Sequence, residues 1–299
     1  MTRTALAENE GMPDDAPRKP FRRRRAAPRA EAAPGQAPPK HPMFRREDGG
    51  PIRGFFLLPN LITSASLVFG FWSITETLVG HFVTAAWFIL AATVFDGLDG
   101  KVARLTGTAS GFGVQYDSLA DLVSFGVAPG FLVYVWALKY AYNPKLGWTV
   151  AAMFVICGAL RLARFNVQFD PEEKTYMKGL AIPAAASGVA LASLFAHEVD
   201  WVTSEGTAAA PNVTLLWVVA LSFLMVSRIK YYSFKDVDVL RKRKFSFLVL
   251  AILFALIVRV EPVWTLFLLF LGYAASGPAM FLLRLYRRPP GAEGEAVLD

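Results

Sequence analysis

Residues 82–104 read FVTAAWFILAATVFDGLDGKVAR, and residues 113–121 read GVQYDSLAD. From Phe82 to Phe95 no charged side chain occurs, and then Asp96 and Asp99 arrive within one turn. The second stretch opens another apolar run and adds Asp117 and Asp121. Continuous apolar runs without alternation read as helical spans and exclude barrel strands. Carboxylates at the ends of such spans are costly, so they face a cavity, a partner or an ion. On helices, Asp96 and Asp99 stand at i,i+3 and Asp117 and Asp121 at i,i+4, so each pair shares a face. The two helices are antiparallel neighbours. Their carboxylates can converge on one point, where they repel one another unless cations intervene.

Composition extends this reading to the whole chain. Its 299 residues are 54% hydrophobic, with 24 Phe and 7 Trp, more apolar surface than one soluble core of this size hides. An ordinary soluble enzyme is excluded. Apolar runs near 58–79, 82–104, 113–138, 148–167, 180–197, 212–230, 245–260 and 262–285 predict an all-α integral membrane protein of about eight transmembrane helices. The run 245–260 is short and ends beside Arg259, so seven spans is the alternative. Cys157 is the single cysteine, and His41, His81 and His197 are scattered, which removes disulfide frameworks and Cys/His zinc sites. Any metal must be held by carboxylates.

The first 58 residues hold nine of the 19 prolines, 12 basic and 7 acidic residues, including Arg22 to Arg25. Such a segment buries too little apolar area to offset its ordering entropy, so residues 1–56 are expected to form a disordered, retained cytosolic tail. The arginine run is a solvated charge cluster that fixes topology or meets anionic lipid headgroups; nucleic acid is not an expected partner. Arg228, Lys230, Lys235 and Arg241 to Lys244 come after the sixth span, and Arg284, Arg287 and Arg288 close the last, whereas 197–212 carries Glu198, Asp200 and Glu205 without Lys or Arg. Basic segments stay cytoplasmic. Both termini and the aspartate end of the second and third spans are therefore expected on the cytoplasmic side of the inner membrane.

Hard oxygen ligands without His or thiolate suit Mg2+ or Mn2+, usually held together with substrate phosphates. Two ions about 3.5 to 4 Å apart would clamp a phosphoanhydride, which points to phosphoryl transfer. Gly100 and Gly113 let a ligand approach the helix backbone, and Arg104, one turn beyond Gly100, offers a bidentate fork to phosphate. Taken singly, Gly100, Ala103 and Gly113 are equally readable as close-packing positions.

The pattern Asp96-x2-Asp99-Gly100-x2-Ala103-Arg104-x8-Gly113-x3-Asp117-x3-Asp121 resembles the signature of the CDP-alcohol phosphotransferases at every position. The resemblance implies a membrane enzyme, often dimeric, with a six-helix core, in which an acceptor hydroxyl attacks the diphosphate of a CDP-alcohol and CMP leaves. It covers 57–230 as the core; 231–288 adds a basic loop and two further spans, and 289–299 is a C-terminal tail. It makes Asp96, Asp99, Asp117 and Asp121 the metal site, with Asp121 also the general base, and lines the CDP pocket with Gly100, Ala103, Arg104 and Gly113. Pro59-Asn60-Leu-Ile-Thr63 is similar to the family's first-span pattern, which implies nucleotide contacts by Asn60 and Thr63; helix capping and interhelical bonding are the structural alternative.

The wording around the motif, with Arg161-Leu-Ala-Arg164-Phe-Asn166 in the fourth span, resembles the membrane-type serine-accepting branch of that family. Branches that accept glycerol 3-phosphate typically place Pro after the third aspartate and Lys after the fourth; here the residues are Ser118 and Leu122. The implied substrates are CDP-diacylglycerol and L-serine, with CMP as product and membrane lipids as surroundings. Arg161 and Arg164, at i,i+3 near a helix end, are candidates to hold a phosphate or the serine carboxylate, or else snorkel to headgroups. Lys178 is a further candidate for that task. Competing readings are a family member using glycerol 3-phosphate or inositol, and an ion-coupled transporter with intramembrane aspartates.

Overall fold

The computed structural model describes residues 57–106, 111–167, 176–204, 206–232, 252–253 and 255–286. The tail 1–56, most of the basic loop, the start of the 245–260 run and the C-terminal tail lie outside the described residues, as do the side chains of Ala103, Arg104 and Lys178. The chain order is α1 (Leu57–Leu78), α2 (Phe82–Thr106), α3 (Gly111–Asp121), a π-helical turn (Leu122–Val127), α4 (Ala128–Trp136), a 3-10 turn (Leu138–Tyr140), α5 (Pro144–Val167), β1 (Tyr176–Lys178), α6 (Ile182–Glu198), α7 (Pro211–Val226), β2 (Lys230–Tyr232) and α8 (Pro262–Tyr286). Residues 255–260 are also helical.

Proline opens many of these helices. Pro144, Pro211 and Pro262 are the first residues of α5, α7 and α8, and Pro183 is the second of α6. There the missing N–H costs nothing and the fixed φ is already helical. Gly80, at φ 86, stops α1 and turns the chain into α2.

Five helical segments are long and apolar enough to cross a membrane: 59–78, 82–102, 111–140, 144–167 and 262–281. Of the eight spans expected, α6 and α7 have only 17 and 16 residues, short of the roughly 20 that span hydrocarbon. The chain is a multi-pass membrane protein, helical apart from one ladder among the described residues. That ladder was not expected: β1 pairs antiparallel with β2, Met177 opposite Tyr231, and ties the chain before α6 to the chain after α7.

The bundle is organised around α6, which touches α2, α4, α5, α7 and α8. Its Ala185, Ala186, Val189, Ala190 and Leu194 are buried, and Gly188 leaves no room for a Cβ against the Phe270 ring of α8. Large apolar side chains such as Leu61, Phe71, Leu216, Phe223 and Leu268 point outward instead, the arrangement a lipid solvent requires.

On α1, Thr63, Ser66, Gly70, Ser73 and Thr77 form one buried stripe at alternating spacings of three and four. Small residues of this kind bring backbones close in a membrane. The Ser66 hydroxyl donates to the Ala92 carbonyl of α2 at 3.2 Å, and Ser124 in the π turn donates to the Ser66 carbonyl at 3.1 Å. A Cβ on Gly70 would lie 2.7 Å from the Ser124 Cα. The stripe therefore fixes α1 against α2, which carries Asp96 and Asp99, and against the π turn that directly follows Asp121.

Candidate active site

The C-terminal part of α2 and the whole of α3 supply the four carboxylates, as their spacing predicts. One oxygen each from Asp96, Asp99 and Asp117 lies within 4.8 Å of the others. Asp99 is only 4% exposed, and its Oδ2 accepts the Thr63 hydroxyl at 2.7 Å. Asp121, one turn beyond Asp117, is hydrogen-bonded side chain to side chain with Asp96. Asp117 also feels the negative charges of Asp99 and Asp96.

Asp117 Oδ1 is buried with no hydrogen-bond partner among the described residues. A three-carboxylate cluster in which one member keeps an orphaned oxygen is a site a hard cation fits: every donor is oxygen, and the cation would relieve the repulsion. The cluster can thus hold a divalent metal.

The chain leaves this site through the π turn, entered directly from Asp121. Its widened turn is sealed by the Ala128 N–H bonding back to the Val123 carbonyl, five residues earlier. A π turn inserts an extra residue into the helix and rotates the helix beyond it, and such turns recur at functional sites. Here Ser124, inside the turn, docks on the Ser66 carbonyl of α1 directly after the aspartate-bearing helix.

The other expected residues surround the cluster unevenly. Gly100 is exposed, and no atom of the described residues stands within 4 Å of where its Cβ would be, so on that count a ligand can reach the α2 backbone there. Gly113 is half-buried in the first turns of α3. Ala103 and Arg104 continue α2, and Lys178 ends β1; only their backbones are described. Asn60 is half-buried in the first turn of α1, its carbonyl accepting the Ser64 hydroxyl at 2.7 Å. Thr63, expected at the nucleotide, spends its hydroxyl on Asp99.

Arg161 sits on α5, inside the bundle. Its guanidinium lies in the electrostatic neighbourhood of Asp121 and of Tyr273 on α8, and its Nε is buried without an acceptor among the described residues. Arg164, one turn on, is half-buried.

Two residues escaped the sequence reading. Tyr116 meets the Ser64 hydroxyl at 2.8 Å and stacks on Phe112, closing the α1 side of the site. Its position beside Asp117 was the available signal. Tyr273 lies over 150 residues from the aspartates, and no spacing rule links them.

A membrane-embedded helical bundle with a carboxylate cluster that can hold a metal, and an open helix face beside it, defines a class of membrane proteins equipped to bind anionic phosphate substrates. Within that class, this chain belongs to the CDP-alcohol phosphatidyltransferase family, whose profile matches residues 56–224. It is similar to a CDP-diacylglycerol–serine O-phosphatidyltransferase of Helicobacter pylori, 40% identical over 213 residues, 71% of this chain and 85% of the relative. A protein of the same name from Bacillus subtilis is 34% identical over 178 residues, 60% of this chain and 91% of the relative. An archaetidylserine synthase of Methanothermobacter thermautotrophicus is 38% identical over 182 residues, 60% of this chain and 71% of the relative.

Proposed function

We propose that this protein transfers the phosphatidyl group of CDP-diacylglycerol to the hydroxyl of L-serine, giving phosphatidylserine and CMP. The observation that carries the reading is the convergence of Asp96, Asp99 and Asp117 at one end of a bundle whose family members bear serine-transferase names.

Asp96, Asp99 and Asp117 would hold Mg2+ or Mn2+, which supplies charge neutralisation along the diphosphate and at the leaving CMP. The rest is the work of side chains. Thr63 fixes the Asp99 carboxylate. Asp121 accepts the proton of the serine hydroxyl, whose oxygen bonds to the phosphorus that carries diacylglycerol. The bond from that phosphorus to the bridging oxygen breaks, and CMP departs with the electron pair. The open face at Gly100, with Ala103, Arg104, Gly113 and Asn60, receives the CDP moiety. Both termini and this site face the cytoplasm, in keeping with the basic residues flanking the spans, and diacylglycerol chains enter sideways from lipid.

The test is CMP release by purified, lipid-reconstituted protein given CDP-diacylglycerol and Mn2+ or Mg2+, with L-serine, glycerol 3-phosphate and myo-inositol offered separately. Chelator-sensitive release with serine alone is expected. Release with another acceptor instead would overturn the serine assignment, and none with any acceptor would overturn the reaction.

A further inference from the structure

The end of the bundle away from the aspartates holds a cavity that the phosphatidyl transfer does not use. Trp136 closes α4 nineteen residues beyond Asp117, roughly 28 Å along the helix at 1.5 Å per residue. There Trp136, Ala192 and Phe195 of α6, Trp201, Trp217 of α7 and Phe267 of α8 line a space of about 160 Å³. Interiors pack with few voids larger than a water molecule, so a space of this size is an exception. Its walls are braced. Phe195 stacks on Phe267 with centroids 4.5 Å apart, and Trp136 is held by its ring on His197 and by its carbonyl, which accepts the Ala208 N–H at 3.0 Å.

The lining decides what fits. It bears no charged side chain, and apolar cavities of this size stay dry and take apolar molecules. One polar group is left over: Trp136 is 2% exposed, and its Nε1–H has no acceptor among the described residues. A buried indole N–H ordinarily has one. Trp217 donates to the Gly188 carbonyl at 3.1 Å, and the Thr214 hydroxyl, also on the lining, donates to the Ala210 carbonyl at 3.5 Å. Indole cannot accept, so the missing partner is an oxygen acceptor brought in on an apolar body. The cavity opens beside Val213, which is exposed with Leu216 on the outward side of α7, where the solvent is lipid. Tryptophan at the end of a span lies at headgroup level, the depth at which each acyl chain of a glycerolipid begins with an ester carbonyl.

We propose that this cavity is a lipid-binding site separate from the catalytic one: the first methylenes of a glycerolipid acyl chain lie among the rings, and the ester carbonyl accepts the Trp136 Nε1–H. The occupant comes from the leaflet opposite the aspartates. It is bound and left unchanged, since no charged group stands at the cavity to act on it. The inference goes beyond the transfer reaction and does not depend on which alcohol is accepted.

The experiment measures lipid binding to the purified, delipidated full chain by native mass spectrometry. The probes are dioleoylphosphatidylcholine and its ether-linked analogue, which keeps the headgroup and chains and lacks both carbonyls. Wild type should bind the ester lipid about five-fold more tightly than the ether lipid, the scale of one neutral hydrogen bond. Trp136→Phe should bind the two equally, at the level wild type shows for the ether lipid. Ala192→Leu, which fills the cavity, should lose the tightest-bound lipid of either kind, while its melting temperature in lipid-free detergent holds or rises. An ester lipid held no better than the ether lipid by wild type would overturn the proposal, and that comparison requires no variant to fold. An ester preference that persists in Trp136→Phe, or undiminished binding by Ala192→Leu, would overturn it as well.

Discussion

The Thr63 hydroxyl donates to Asp99 Oδ2 at 2.7 Å across the α1–α2 contact, and both residues are at most 5% exposed. The same hydroxyl lies 3.1 Å from the Pro59 carbonyl of its own helix. A ligating carboxylate held this way loses rotational freedom before any cation arrives, and removing such an outer support typically weakens metal affinity by about 10- to 100-fold. Thr63→Val keeps the side-chain shape. It should raise the Mg2+ or Mn2+ concentration for half-maximal CMP release by about ten-fold and cost about 1 kcal/mol of stability. Metal titration of the reconstituted variant checks the first; an unshifted midpoint would make the bond purely structural.

Two glycines separate packing from ligand access. Gly70 faces Ser124, where an added Cβ would stand 2.6 Å from its Oγ and 2.7 Å from its Cα, and backbone cannot swing aside. Gly70→Ala should destabilise the protein by about 1–3 kcal/mol, seen as a lower melting temperature in detergent. Gly100 meets nothing at the same position among the described residues. Gly100→Ala should keep or slightly raise the melting temperature, since alanine favours a helix interior by about 0.5–1 kcal/mol, while raising the KM for CDP-diacylglycerol.

That contrast marks what a linear reading reaches. The aspartate face was legible because helical spacing alone places i,i+3 and i,i+4 residues together, and hydrophobic length located α1, α2, α5 and α8 to within a few residues. Gly70 and Gly100 are identical letters, and only the neighbouring helix tells one from the other. The π turn left no trace because 113–138 is apolar throughout, and i→i+4 and i→i+5 bonding ask for the same residues. The β1–β2 ladder is three residues long on each side, too short for any period. Tyr273 depends on tertiary packing through Tyr231 and Gly277. Thr63 was expected either at the nucleotide or in an interhelical bond, and its hydroxyl is engaged with Asp99 across the α1–α2 contact.

Asp121 and Asp96 are hydrogen-bonded to each other yet should fail differently. Asp121→Asn retains the shape and a hydrogen bond to Asp96 but cannot take up the proton of the acceptor. A loss of kcat of about 100-fold or more is expected, given what general base catalysis contributes, with CDP-diacylglycerol binding and melting temperature nearly unchanged. Asp96→Asn removes a ligand charge, so metal dependence and CDP-diacylglycerol binding should weaken together. Single-turnover CMP release and metal titration of both variants distinguish the two. Substantial turnover in Asp121→Asn would remove it as the base.

The anchorage of α8 should fail at high pH with a defined sign. Tyr231 lies in β2, outside the five long apolar segments, and burial pushes its hydroxyl from 10.0 up to about 12. A phenol raised in the folded state favours folding fully below the unfolded value near 10, and that contribution fades as pH climbs through 12. The reason is concrete, since only the protonated hydroxyl can donate to the Ala274 carbonyl. Tyr231→Phe keeps the ring against Gly277 and Tyr273 while deleting that donor. At pH 8 the variant should melt below wild type, by the equivalent of about 1 kcal/mol. Between pH 10 and pH 12 the gap should close, because wild type loses what the variant never had, even as both proteins weaken from the titration of other groups. A gap that stays constant across that window would show that the hydroxyl of Tyr231 does not hold α8 in place.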